Sequence, residues 1–197
     1  MDIDNIPEPI KDLIALEIRH HRRIWKPFMD KYNVESFAEL GVFESQNFRR
    51  MIEHGSKIAV GVDAWINDDK IARNDSGFTQ ERQNEQCELF KSIMKDHPEV
   101  RLCRQYTFDA VKNFPDSYFD LIYIDADHTY EGCIQDMELW WPKVKSGRFF
   151  TGDDYSKYRA KVTGVVFGVV EAVNEFATKQ GVQVYELPRH GWAMIKP

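Results

Sequence analysis

The chain has 197 residues, 43% of them hydrophobic, and a net charge of −6. That is enough apolar material for one core, and the acidic balance speaks against a nucleic-acid surface, which needs a basic face. Cys87, Cys103 and Cys133 show no metal-binding spacing and read as reduced thiols of a cytoplasmic protein.

The opening segment, MDIDNIPEPIKD, is acidic and carries prolines, unlike a signal peptide. No apolar run is long enough to span a membrane. Residues 9–32 carry Ile10, Leu13, Ile14, Leu16, Ile18, Ile24, Trp25 and Phe28 at helical spacing, which predicts an amphipathic helix broken near Pro27. It forms an N-terminal helical extension, residues 1–32, of a single domain spanning 1–197. Its apolar face could serve a homodimer. The basic cluster Arg19, His20, His21, Arg22, Arg23 and Lys26 reads as a solvated helix end.

Residues 36–42 (SFAELGV) predict a strand, 46–54 a helix with Gly55 as its C-cap, and 57–63 (KIAVGVD) a second strand. Residues 64–78 are polar and irregular. They follow a strand end and suit either a substrate loop or a plain connector. A helix capped by Thr79 runs to Asp96, then come a strand at 100–103 and a short helix at 108–113. The fourth strand covers 120–125, a helix 130–141 ends at Pro142, and the fifth strand covers 147–151. A long helix over 162–179 precedes two strands, 182–187 and 192–195, joined as an antiparallel hairpin. Strands alternating with helices predict a doubly wound α/β fold: a mostly parallel seven-stranded sheet with helices on both faces.

Two strand ends carry most of the chemistry. FDLIYIDADH (119–128) ends in carboxylates and a histidine, and TGDDY (151–155) ends in paired aspartates. Neighbouring parallel strands lie roughly 5 Å apart, which would bring Asp125, Asp153 and Asp154 together. Gathered anions raise one another's cost of ionisation. A bound divalent cation solves this, and all-oxygen ligands favour magnesium. Asp127 is either an alternative ligand or part of the next helix cap. His128 suits a general base near neutral pH, or a group that orients a carboxylate or caps the following helix. Tyr155, Tyr158 and Trp192 are candidate pocket walls, although core packing is the plainer reading. His190 reads as exposed.

In such sheets ligands bind beyond the carboxyl ends of the strands. The first strand ends in ELGVF (39–43) and the second in Asp63, about twenty residues on, where a ribose-binding acid belongs. A dinucleotide site wants G-x-G-x-x-G, but Phe43 and Gln46 occupy the later glycine positions. A cofactor without phosphates needs only the close approach at Gly41. It also needs anionic partners for its positive groups, which Glu39, Asp63 and Asp125 supply.

These motifs, ELGVFES, VGVDAW and FDLIYIDADHTYEG, resemble those of the class I S-adenosylmethionine-dependent methyltransferases, over residues 36–196. IDADH followed by GDDY is similar to the small metal-dependent O-methyltransferases of the catechol, caffeoyl-CoA and antibiotic-sugar types. The resemblance implies Glu39, Gly41 and Phe43 around the methionine part of the cofactor and Asp63 on its ribose. It implies Ala64 and Trp65 beside the adenine, with Thr107 and Phe108 bordering it. Asp125, Asp153 and Asp154 would hold the metal. Two departures stand out: Ser45 occupies a position that is often glycine in that family, and RQYTFDA (104–110) lacks the usual Gly-Asp start.

The function expected is S-adenosylmethionine-dependent, magnesium-assisted O-methyl transfer to a small hydroxylated molecule, a sugar or a phenol. His128 and Asp125 would be the catalytic residues. The alternatives are a metal-independent methyltransferase with His128 as base and a non-catalytic cofactor- or nucleotide-binding module. A nucleic-acid partner is disfavoured, because no Asn/Asp-Pro-Pro-Tyr segment follows the fourth strand.

Overall fold

The computed structural model describes residues 5–20, 24–67, 79–157 and 166–197. Among them, seven strands form one sheet in the order β3-β2-β1-β4-β5-β7-β6. These are β1 (Ser36–Leu40), β2 (Ile58–Val62), β3 (Val100–Cys103), β4 (Phe119–Ile124), β5 (Val144–Gly152), β6 (Tyr185–Glu186) and β7 (Trp192–Ile195). The first five run parallel, and β7 runs antiparallel to both β5 and β6. This is the expected doubly wound sheet with its closing hairpin.

Alternation along the strands divides the core into two layers. Phe37, Ala59, Leu121 and Phe149 face one side, where α1 (Glu8–His20), α2 (Trp25–Lys31), α3 (Gln46–Ile52) and α4 (Gln80–Met94) pack. Ala38, Val60, Ile122 and Phe150 face the other, under α5 (Thr107–Ala110), α6 (Tyr130–Trp140) and α7 (Val169–Gln180). The Thr79 side chain accepts from the Arg82 amide, and Thr129 caps α6 by accepting from Gly132.

The N-terminal segment is two helices rather than one bent at Pro27. Pro27 sits in the first turn of α2, where the backbone N–H it lacks would have no intrahelical partner. Ile10 and Leu13 of α1 and Trp25, Phe28 and Met29 of α2 are buried in the first core layer, so this segment is built into the domain. The basic cluster lies outside the described side chains except for Lys26, which pairs with Asp30 at 3.1 Å.

The last helix starts later than its composition suggests. Residues 162–165 lie outside the described residues, and Val166–Gly168 are not helical. Gly168 instead donates its N–H to the His128 carbonyl at 2.8 Å, and a Cβ there would meet the Tyr130 backbone at 2.4 Å. Close contact with the loop after β4 outweighs helix propensity.

At the amino end of β4, Asp120 is buried and takes hydrogen bonds from the Glu35 and Ser36 amides, the Ser36 hydroxyl and Lys145, while Arg148 pairs with it. At the far end of the chain, Lys196 Nζ donates to the carbonyls of Trp141, Pro142 and Val144. Both groups are satisfied within the fold, as buried polar groups must be. No helix among the described residues is long and apolar enough to cross a membrane.

Candidate active site

Strand order reverses between β1 and β4, and ligand clefts open at such a point. A cavity of about 520 Å³ lies there, at the carboxyl ends of the strands. Its floor is made by Gly41. With φ +83°, this residue lets the loop after β1 pass against the loop after β4, and a Cβ would lie 1.9 Å from the Asp125 carbonyl oxygen. Only glycine fits there.

Glu39 projects from β1 into this cavity while 1% exposed. Burial first, and then the nearby Asp125, push its carboxyl well above the ordinary range. Asn47 hydrogen-bonds it, yet its Oε2 has no partner among the described residues. A buried lone acceptor costs stability unless a donor arrives.

Asp63, at the end of β2, also lines the cavity. Its Oδ2 accepts the Phe43 amide at 2.9 Å and its Oδ1 the Trp65 amide at 2.7 Å. Burial raises its pKa despite these bonds. Asp63 therefore ties the loops after β1 and β2 together and still has acceptor capacity to offer. Phe43 and Ala64 border the cavity.

Trp65 is the exception. Its ring is 1% exposed and packs against Phe90 at 5.6 Å, with its indole N–H on the Phe43 carbonyl. The residue takes φ +45°, which sends the indole into the core and leaves Ala64 and Ile66 to line that wall. Thr107 and Phe108 line the cavity, with Phe108 stacked on Tyr106 at 5.1 Å.

On the other side, β4 and β5 are neighbours with Ile124 paired to Gly152. Among the described residues, Asp125, His128 and Asp154 bring one ligand atom each within 4.8 Å of one another. His128 Nε2 lies 3.2 Å from Asp125 Oδ1 and 3.0 Å from Asp154 Oδ2. Its ring stacks on Phe167 at 4.5 Å. Asp153 lines the cavity but stands outside that group of three. Its carboxyl hydrogen-bonds Tyr123 and accepts the Asp154 amide, and burial together with Asp125 pushes it up to about 6. Asp127 accepts from the Thr129 amide and hydroxyl, which places it in the α6 cap.

Trp192 and Tyr155 follow the plainer reading and pack into the fold. Trp192 is 1% exposed in the core, and the Tyr155 hydroxyl donates to Asn174 on α7. Tyr158 and residues 68–78 of the polar loop lie outside the described residues. Among the described residues, the aromatic side chains that border the cavity are those of Trp25, Phe43, Tyr106, Phe108 and Tyr123. Sequence reasoning missed Trp25 and Tyr123. Trp25 sits on a helix read as an extension, and Tyr123 lies inside a strand whose facing the pattern does not reveal. Their mutual edge contact, at 5.3 Å, closes the cavity between α2 and β4. His190 is exposed.

Residues 38–155 match a family model described as a methyltransferase domain. The chain belongs to that methyltransferase family. This is the class whose motifs the sequence resembles. Over 133 residues, the chain is 24% identical to an uncharacterized protein, R132, of Acanthamoeba polyphaga mimivirus, covering 63% of the chain and 53% of the relative. The chain thus spans about half the length of the curated relative it matches. Its fold is similar to that of the O-methyltransferase NovP (TM-score 0.63, 17% identity, 92% of this chain and 79% of NovP). It is also similar to the Podospora anserina methyltransferase PaMTH1, solved with S-adenosylhomocysteine (0.61, 12%, 98% and 89%). A spermidine synthase from Thermotoga maritima shares the fold as well (0.53, 15%, 92% of this chain and 58% of that one). Differently named enzymes share this architecture, so the fold by itself does not define a substrate.

Proposed function

We propose that this methyltransferase uses S-adenosylmethionine to methylate a hydroxyl of a small molecule, a sugar or a phenol, beside a divalent cation, magnesium by ligand type. One observation carries the reading: the same cavity is lined by Glu39, Gly41 and Asp63 and by Asp125, His128 and Asp153. A donor held by the first group would meet a hydroxyl held by the second.

The residues fit both groups. The unpartnered Glu39 Oε2 suits the cofactor's ammonium, and Asp63 has acceptor capacity left for ribose hydroxyls. Bound, the cofactor supplies an electrophilic methyl group. Thr107, Phe108 and Ala64 form the wall that would face its adenine. Asp125 and Asp154 supply oxygen ligands for a cation, with Asp153 beside them. A cation there supplies Lewis acidity and a template for the acceptor oxygens.

His128 stands between Asp125 and Asp154 and, when protonated, offsets one of their two negative charges. A cation held by those carboxylates would compete for their oxygens, and His128 Nε2 would then serve as the base for the acceptor hydroxyl. Asp125 then has two tasks, ligating and orienting. A second reading drops the cation and keeps His128 as base, which the same two contacts permit.

The test is calorimetric titration with S-adenosylhomocysteine, followed by a screen of sugar and phenol acceptors with magnesium and with chelator. Saturable binding and chelator-sensitive methylation are expected. Full turnover in chelator overturns the cation and leaves the His128 reading. No binding of S-adenosylhomocysteine overturns the enzyme reading in favour of a binding module.

A further inference from the structure

Asp136 is a buried carboxyl that the chemistry above does not use. It lies on α6, is 2% exposed, and lines the far end of the cavity. Burial raises its pKa to about 7. Its one hydrogen-bond partner among the described residues is Thr107, whose hydroxyl donates to Oδ1. One turn further along α6, the Trp140 indole N–H donates to the Thr107 carbonyl at 3.2 Å. Thr107 is therefore gripped by α6 at both its side chain and its backbone.

Thr107 opens α5, a helix of four residues with no side-chain cap of its own. So short a helix is marginal without tertiary support. The same turn carries Phe108 and the Tyr106 ring stacked on it, and all three residues line the cavity. Burying a carboxyl costs free energy that a single neutral hydroxyl only partly offsets. A hydrophobic residue would pack α6 against α5 at lower cost, but it could not hold the Thr107 hydroxyl.

We propose that Asp136 is a positioning residue for the cofactor. Through Thr107 it fixes the Tyr106–Phe108 wall of the adenine end, and its effect is on cofactor affinity. This rests on the S-adenosylmethionine reading of the cavity.

The experiment titrates S-adenosylhomocysteine into wild type, Asp136→Ala, Asp136→Asn, Thr107→Val and the Asp136→Ala/Thr107→Val double variant, with thermal unfolding of each. Asp120→Asn, at the opposite end of the sheet, is the control for loss of a buried carboxylate. The two single truncations are expected to weaken binding about tenfold, equivalent to one interaction of roughly 1.4 kcal/mol. The double variant should be no weaker than either single one, because both remove the same contact. Asp136→Asn keeps an acceptor and should bind within about twofold of wild type. Asp120→Asn should lower the unfolding temperature and leave affinity unchanged.

Wild-type affinity in Thr107→Val and Asp136→Ala overturns the proposal. So do additive losses, or an equal loss in Asp120→Asn. If Asp136→Ala does not fold, Thr107→Val against Asp136→Asn decides alone. Absence of binding by the wild type is a different result, and it overturns the cofactor reading itself.

Discussion

Gly41 and Asp125 touch through their backbones: the space a Gly41 side chain would need is filled by the Asp125 carbonyl. The turn after β1 and the turn after β4 are thereby one packed unit. Gly41→Ala adds a methyl group against rigid backbone at φ +83°. A loss of about 3 kcal/mol is expected, together with loss of S-adenosylhomocysteine binding. Denaturant unfolding and calorimetry check it. A variant of normal stability that binds normally would show that the two loops can part.

Ser45 occupies the left-handed region (φ +61°) at the start of α3, fully buried, with its hydroxyl unpartnered among the described residues. The turn is one that glycine forms without strain. Ser45→Gly is expected to stabilise the fold by about 1 kcal/mol, or ~2–4 °C in Tm. Calorimetric unfolding measures it. A lower Tm would mean that the serine hydroxyl is used.

Asp154 takes φ +56° and engages His128 at 3.0 Å. It is not among the described residues that line the cavity. Asp154→Ala is expected to lower turnover about 100-fold or more while leaving S-adenosylhomocysteine affinity near wild type. Magnesium should no longer restore activity after chelation. Parallel loss of affinity and turnover would place Asp154 in folding rather than chemistry.

Asp136 sets a pH dependence of stability. Its folded-state pKa, about 7, lies above its unfolded value. The folded state therefore binds more protons between those values, and stability falls as pH rises through that window. The contribution is fully present below about pH 4 and is lost by the time pH passes the folded value of about 7. Asp136→Asn should flatten this slope, matching wild type under acidic conditions and exceeding it in Tm at alkaline pH. Unfolding curves across the range check it. Parallel curves for the two proteins would reject the assignment.

Much of the fold was legible because its signals are local. The strand cores IAVGV and FDLIYI are short apolar runs bounded by polar turns. The cap at Thr79 precedes a helical pattern, whereas the α6 cap, read as Asp127 or His128, falls to Thr129. Side-chain direction at loop residues was not legible. Trp65 and Asp154 both take positive φ, a choice no hydrophobic period reports, and it carries one ring into the core and one carboxylate onto His128. The start of α7 was misplaced for a related reason. Gly168 is drawn to the loop after β4 by a contact forty residues back in the chain, between its N–H and the His128 carbonyl.

The sequence by itself determined the strand and helix order, the glycine at the first turn, and the acids at the ends of β1, β2, β4 and β5. Each of these is written in neighbouring residues. Tertiary structure decided which groups share the cavity. It brought in Trp25 from the N-terminal helices and turned Tyr123 inward. It set His128 between two aspartates and left Asp153 on Tyr123. Those outcomes depend on how elements far apart in the chain pack on the sheet, and packing is a property of the whole fold.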